Sequence, residues 1–235
     1  MAISSLTIFF SGIIIIYIEN LLRGVMEEFE KMKSGLLYNP AESGIAAKHN
    51  NIMALCEKLN RVTIKNQPRR KKILKKIIPS MGDGAFIVSP FNCEYGSNIK
   101  IGKNFFSNFN CIILDVAPVT IGDNAMFGPH VTLATPMHPL VASERAVQDY
   151  GDGIYDLEYA RPITIGNGVW LASNVTVVGG VTIGDECVVG AGSVVTRDLP
   201  SGYLCMGTPC KPIRKITDAD RLFVKETYDA CRPLK

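Results

Sequence analysis

No CxxC pair occurs in this 235-residue chain, and its seven cysteines (Cys56, Cys93, Cys111, Cys187, Cys205, Cys210 and Cys231) are odd in number and scattered. That argues against a disulfide framework and against a four-cysteine zinc site. A reducing cytoplasm is the simpler setting, with the thiols as small buried hydrophobes. Histidine is scarce, with only His49, His130 and His138, and Trp170 is the single tryptophan. A charge excess is missing as well. The 25 Lys and Arg against 22 Asp and Glu leave +3, too little to argue for nucleic acid from bulk charge.

A hydrophobic run of spanning length is also lacking. The longest, residues 3–18, falls short of the ~20 residues a membrane helix needs. No Lys or Arg precedes it and no clear cleavage site follows, so it makes a poor signal peptide. Residues 1–25 therefore read as a signal anchor, a packing helix or an upstream extension, with Met26 or Met32 as alternative starts. A membrane role is expected only in the first case.

What the chain does have is a repeat. Every sixth residue from Ile165 is aliphatic: Ile165, Leu171, Val177, Ile183, Val189 and Val195. The residue after each is often small: Gly166, Ala172, Gly184 and Gly190. Four places after an anchor come Val169, Val175, Val181, Cys187 and Ser193. Ile121, Phe127 and Leu133 carry the same phase earlier. A period of six cannot be an α-helix, whose apolar face recurs at 3.6. It fits a triangular solenoid: each unit forms one short flat face, three units close a coil, and the anchors stack on those of the next coil.

Between Ile101 and Ile121 the phase slips by two residues, so one coil is irregular there. Between Leu133 and Ile165 the period is lost, so residues 134–161 leave the solenoid as a long loop, and such loops are usually functional or disordered. Residues 28–78 read as helical, with Ile52, Leu55, Cys56 and Leu59 at helical spacing and Asn60 and Pro68 as punctuation. The basic stretch 69–78 is either a patch for an anionic ligand or nucleic acid, or the solvated face of an amphipathic helix packed on the solenoid. After Pro200 the chain leaves the coils, and residues 217–228 read as a C-terminal capping helix. The expected layout is an apolar extension (1–25), a helical leader (26–80), a triangular solenoid (81–216) carrying the loop, and a helical tail (217–235).

His49 reads as a surface residue of the helical region, and His130 falls inside a repeat turn. His138, in Thr135-Pro136-Met137-His138-Pro139-Leu140, stands at the junction of solenoid and loop. Two segments, with the His138-Pro139 pair, are the most specific, Met32-Lys33-Ser34-Gly35-Leu36-Leu37-Tyr38 and Asn104-Phe105-Phe106-Ser107-Asn108-Phe109-Asn110, and Tyr95-Gly96-Ser97-Asn98-Ile99 is a further anchor. Ile165-Gly166-Asn167-Gly168-Val169-Trp170, Gly190-Ala191-Gly192-Ser193-Val194-Val195-Thr196 and Gly207-Thr208-Pro209-Cys210 extend the match. On these segments the chain, over residues 28–216, closely resembles the maltose/galactoside O-acetyltransferases, a family of hexapeptide-repeat enzymes.

The resemblance implies that the solenoid is a left-handed parallel β-helix, and that the chain transfers an acetyl group from acetyl-coenzyme A to a sugar hydroxyl, with no metal. It implies His138 as general base, a task suited to imidazole, which is mostly neutral at neutral pH. It implies acceptor contacts at Asn108, Asp115 and Glu94; the plainer alternatives are a turn residue for Asp115 and a solvated charge for Glu94. It implies coenzyme A contacts at Ser173, Ala191, Thr196, Arg197, Lys211 and Arg214, the cations toward phosphates. A backbone N–H near Ser173 would face the tetrahedral oxyanion, and Trp170 would pack beside the groove. It also implies a homotrimer whose sites are shared between subunits.

Three departures bear on the acceptor and the cofactor. Asn39-Pro40 stands where an acidic residue is common, Lys211 replaces an arginine, and residues 151–159 lengthen the loop. A streptogramin-type acetyltransferase is the alternative on the same scaffold. A β-helical zinc enzyme would need three convergent histidines, and a non-catalytic scaffold would need none.

Overall fold

The computed structural model describes residues 26–222. The apolar run, Cys231 and the end of the expected tail lie outside them. Among the described residues no helix is long and apolar enough to cross a membrane.

The chain begins with α1 (Glu28–Lys33), α2 (Ser43–Asn60) and α3 (Gln67–Ile77). α2 starts where the Glu42 carboxylate accepts the Ile45 N–H at 3.0 Å, which satisfies one of the free amides of a helix N-terminus. Its buried stripe is Ile45, Ile52, Cys56 and Leu59. The punctuation read at Asn60 and Pro68 falls at the two sides of a break in the helical region: α2 ends at Asn60, and Pro68 opens the next helix. Pro68 sits in the first turn of α3, where its missing N–H costs nothing. Arg70 differs from the expected solvated face. It is 1 % exposed and donates to the carbonyls of Val62 and Ile87 and to Ser89 Oγ. The guanidinium thus ties α3 to the first coil.

The left-handed parallel β-helix then opens. The first coil holds β1 (Ser80–Met81), β2 (Phe86–Ile87) and β3 (Phe91–Cys93). The second holds β4 (Ile99–Ile101), β5 (Phe106–Ser107) and β6 (Cys111–Leu114), and the third β7 (Val119–Ile121), β8 (Met126–Phe127) and β9 (Thr132–Ala134). A flap follows, with β10 (Pro136–Met137), α4 (Ala142–Arg145), β11 (Gln148–Asp149), β12 (Ile154–Tyr155) and β13 (Tyr159–Ala160). The coils resume with β14 (Ile163–Ile165), β15 (Trp170–Leu171) and β16 (Thr176–Val178), then β17 (Thr182–Ile183), β18 (Val188–Val189) and β19 (Val194–Val195). An antiparallel hairpin of β20 (Tyr203–Gly207) and β21 (Cys210–Lys215) ends the stack. Beyond it, the described part of the tail is a 3₁₀ turn at Asp218–Asp220.

Parallel pairing builds three sheets, one per face of the prism. The anchors stack in register, Ile101 on Ile121, Ile165 and Ile183 on one face, Phe127 on Leu171 and Val189 on the next. The six anchors read from the hexads are at most 1 % exposed. Anchors at every sixth position are therefore the wall of one continuous apolar core. The edge of the first coil is covered by Asn60, whose side chain donates to the Phe91 carbonyl at 3.0 Å and accepts the Phe91 N–H at 2.9 Å. An exposed edge strand is thereby blunted.

Corner geometry explains the residues between anchors. Asn110, His130, Asn174 and Gly192 occupy one corner in successive coils, with φ of 59°, 61°, 58° and 71°. Asparagine and glycine tolerate this left-handed region. His130 is thus a corner residue, its Nε2 3.3 Å from Asn110 Nδ2. At another corner, a Cβ on Gly122 would lie 2.7 Å from the Asn167 nitrogen of the next coil. Only glycine allows the coils to close to sheet spacing there.

The period fails at one corner alone. Cys93 to Ile101 and Ile113 to Ile121 each take eight residues in place of six, and Leu133 to Ile165 takes the whole flap. The three departures stack at the same corner, next to α2. The functional cleft lies there.

Candidate active site

The flap leaves and returns through an antiparallel pair, with Met137 opposite Tyr159 and Pro136 opposite Ala160. Thr135 fastens its root, donating to the Leu114 carbonyl at 2.7 Å and accepting the Ala117 N–H at 2.9 Å. One step beyond the paired residues, His138 and Glu158 face each other with Nε2 and Oε1 3.8 Å apart. The imidazole is about half exposed and the carboxylate largely covered. Tyr38 of the leader completes the arrangement. Its backbone exchanges hydrogen bonds with Glu158, and its hydroxyl donates to Glu158 Oε2 at 2.7 Å. Burial and that carboxylate push the Tyr38 phenol far up, so it stays a donor at any working pH.

These groups open onto a cleft of about 320 Å³ lined by Tyr38, His49, Glu94, Tyr95, His138 and Glu158, with Asn50, Val116 and neighbours closing it. The slipped corners form its floor. Asp115 Oδ1 accepts the N–H groups of Glu94 and Tyr95 at 3.0 and 2.9 Å, which aims Glu94 into the cleft. Burial, then the charges of Asp115 and Glu158, raises Glu94 to about 7. Burial raises Asp115 to about 6, against hydrogen bonds from the Tyr95 and Glu94 backbone that lower it. Glu94 Oε2 and Asp115 Oδ2 are buried without a partner. A hydroxyl donor entering the cleft would satisfy Glu94.

The raised Glu94 carboxyl has a consequence for stability. Its folded value of about 7 lies above its ordinary 4.5, so between those values the folded chain binds more protons and stability falls as pH rises. Glu94→Gln should therefore melt like the wild type near pH 5 and above it near pH 8, read as the difference in Tm across pH. A constant difference would mean that Glu94 is not desolvated in solution.

The expected site residues separate in space. Glu94 and His138 share the cleft. Asp115 is fully buried and lies beneath the floor, not in it. Asn108 sits near a different corner, at the end of β5, where its Oδ1 accepts the Phe109 N–H at 2.8 Å. Ser173 and Ala191 occupy equivalent positions at that same corner. Their flanking residues Ala172, Asn174, Gly190 and Gly192 donate backbone N–H bonds, while neither Ser173 nor Ala191 does so among the described residues. Thr196, Arg197 and Lys211 line a second cleft, of about 610 Å³, between the last coil and the terminal hairpin. Arg214 is not part of it. Its guanidinium holds Asp220 through two hydrogen bonds of 2.8 and 2.5 Å, and this pairing lowers Asp220 to about 2. Trp170 is half exposed on the outer face of β15.

Sequence reasoning missed Glu158, Tyr38 and His49. Their convergence joins the leader, α2 and the far end of the flap, and no spacing signals it. The three histidines do not converge: His49 and His138 border one cleft, while His130 is at a distant corner. His138, Asp156 and Glu158 do place ligand-type atoms within 4.8 Å of one another.

Comparison with known proteins places the architecture. Residues 162–197 match the model for the bacterial transferase hexapeptide (six repeats), and residues 31–82 match that for the maltose acetyltransferase hexapeptide capping motif. The galactoside O-acetyltransferase of Escherichia coli (strain K12) is 37 % identical over 199 residues, covering 85 % of this chain and 94 % of its own. The chain belongs to the maltose/galactoside O-acetyltransferase family. The solved maltose O-acetyltransferase from Clostridium difficile 630 is 37 % identical with a TM-score of 0.76, covering 82 % of this chain and 99 % of its own. A galactoside acetyltransferase solved in complex with coenzyme A gives a TM-score of 0.77 at 37 % identity, over 85 % and 97 % of the two chains. The matched capping motif spans α1 to α3, and of these elements the loop after α1 and the first turns of α2 wall the cleft holding His138, through Tyr38, Pro40, Ile45, His49 and Asn50.

Proposed function

We propose that this chain transfers an acetyl group from acetyl-coenzyme A to a hydroxyl of a sugar-like acceptor, with His138 as general base. The observation that carries the reading is the placement of His138 at the rim of a cleft into which Glu94 brings a buried, unpartnered carboxylate oxygen, in a member of this acetyltransferase family. The acceptor hydroxyl gives its proton to the imidazole as its oxygen attacks the thioester carbonyl. The tetrahedral oxyanion is stabilised by a backbone N–H at Ser173. Collapse expels the coenzyme A thiolate, which takes the proton back from the imidazolium. Glu158, held by the Tyr38 hydroxyl, faces the ring at 3.8 Å and orients it. Glu94 accepts hydrogen bonds from further hydroxyls. The cluster of Glu94, Asp115 and Glu158 disfavours anionic acceptors and suits neutral polyols such as maltose, glucose or a galactoside.

Arg197 and Lys211 take the phosphates of coenzyme A. One chain leaves these groups at one corner of the prism and Ser173 and Ala191 at another, so the groove is completed by a second subunit in a homotrimer. The outward ladder of β2, β5, β8 and β15 supports this assembly. Phe86, Met126 and Trp170 there are 36 %, 51 % and 48 % exposed, a stripe suited to another copy.

The test is thiol release from acetyl-coenzyme A with a panel of hexoses, hexosides and larger apolar alcohols. Release with at least one hexose or hexoside is expected. Release only with streptogramin-like alcohols, or with none of the panel, overturns the sugar reading.

A further inference from the structure

We propose that the helical leader binds an anionic membrane surface, through the face formed by α2, α3 and the turn between them. Residues 57–76 carry nine Lys and Arg against the single acid Glu57, a net +8 in a chain whose total is +3, which leaves the other residues at −5. The charge is segregated onto this one element. It is also uncompensated. Arg61 pairs with Glu57 at 3.3 Å, and no other exposed cation of the segment has a carboxylate within 4.0 Å among the described residues.

Helix stability does not account for this pattern. Lys71 with Lys75 and Lys72 with Lys76 are like charges at i,i+4, which disfavour a helix. Arg69 lies in a first turn without acidic residues, against the helix dipole. An external anion offsets these costs.

The surface has a definite shape. Two adjoining grooves, of about 550 and 350 Å³, share Lys58 and Arg69. Lys72 and Lys76 rim the smaller one, over Leu55 and Ile73. At the turn between the helices Ile64 is 46 % exposed, between Arg61 and Lys65. A cationic face with an apolar tip is what an interfacial site requires: cations at the level of lipid headgroups, an aliphatic side chain just below them. The segment has no Phe, Tyr or Trp, the side chains on which single-stranded nucleic acid stacks. The leader packs on the first coil, while Arg197 and Lys211 stand at the far end of the stack, so docking leaves the second cleft open.

The experiment uses the full chain in co-sedimentation with vesicles of phosphatidylcholine alone or with about one quarter phosphatidylserine. Binding is expected to the anionic vesicles only, and to be lost at about 0.5 M salt. Replacing Arg69, Lys72 and Lys76 together by glutamine should weaken it by on the order of a hundredfold and leave acetyl transfer to a soluble acceptor unchanged. Equal binding to both vesicle types overturns the proposal. So does full binding by the triple variant, which would assign attachment to residues 1–25. Tighter binding to an RNA oligonucleotide than to anionic vesicles also overturns it. If the variant fails to fold, the lipid and salt dependence of the wild type decides the matter alone.

Discussion

Replacing His138 by alanine should slow acetyl transfer by roughly a hundredfold or more, the range for loss of a general base. The side chain is about half exposed on the flap and, among the described residues, makes no hydrogen bond, its approach to Glu158 being 3.8 Å. Its removal therefore leaves the fold unstrained. Arg197 and Lys211, the proposed phosphate contacts, line a separate cleft. The loss should fall on kcat, with the KM for acetyl-coenzyme A nearly unchanged, since a proton acceptor acts mainly in the transition state. Steady-state kinetics separates the two. A variant with wild-type kcat would remove the imidazole from the mechanism. A matched rise in KM for acetyl-coenzyme A would make it a cofactor contact instead.

The second large effect is on stability. Phe127 is 0 % exposed and meets Phe105 edge to face at 5.0 Å, with Leu171 above it in register. Truncation to alanine should cost about 3–5 kcal/mol, the sum of lost transfer energy and an unfilled cavity. In a solenoid each coil is held by its neighbours, so a gap at coil three weakens both interfaces at once. The coil continues into Thr135 and the flap root, so local opening there also loosens His138. Chemical denaturation compared with the wild type checks the value. A loss below ~1 kcal/mol would mean that the coils relax around the gap.

How much of this was readable from residues follows from what each feature depends on. The anchors Ile165 to Val195 were legible because burial repeats at a fixed spacing and nothing interrupts it. The slip between Ile101 and Ile121 was legible as a break in that spacing, and the break marks the cleft floor. His138 stood out because it sits where the period ends. The other half of the cleft was not legible. Tyr38 and Glu158 are 120 residues apart and meet only because the flap returns beside the leader. Arg70 looked like its basic neighbours, yet its position on α3 faces the first coil and three acceptors await it there. Arg214 reads as a free cation, and only in space is Asp220, six residues on, seen to pair with it. Each of these depends on a contact in space for which the chain carries no period.

The most direct test is a crystal structure with coenzyme A and a hexoside acceptor both bound. The account predicts an acceptor hydroxyl within about 3 Å of a His138 ring nitrogen, a second hydroxyl on Glu94, and phosphates beside Arg197 and Lys211. An acceptor bound away from His138, or an imidazole turned out of the cleft with acceptor in place, would contradict it.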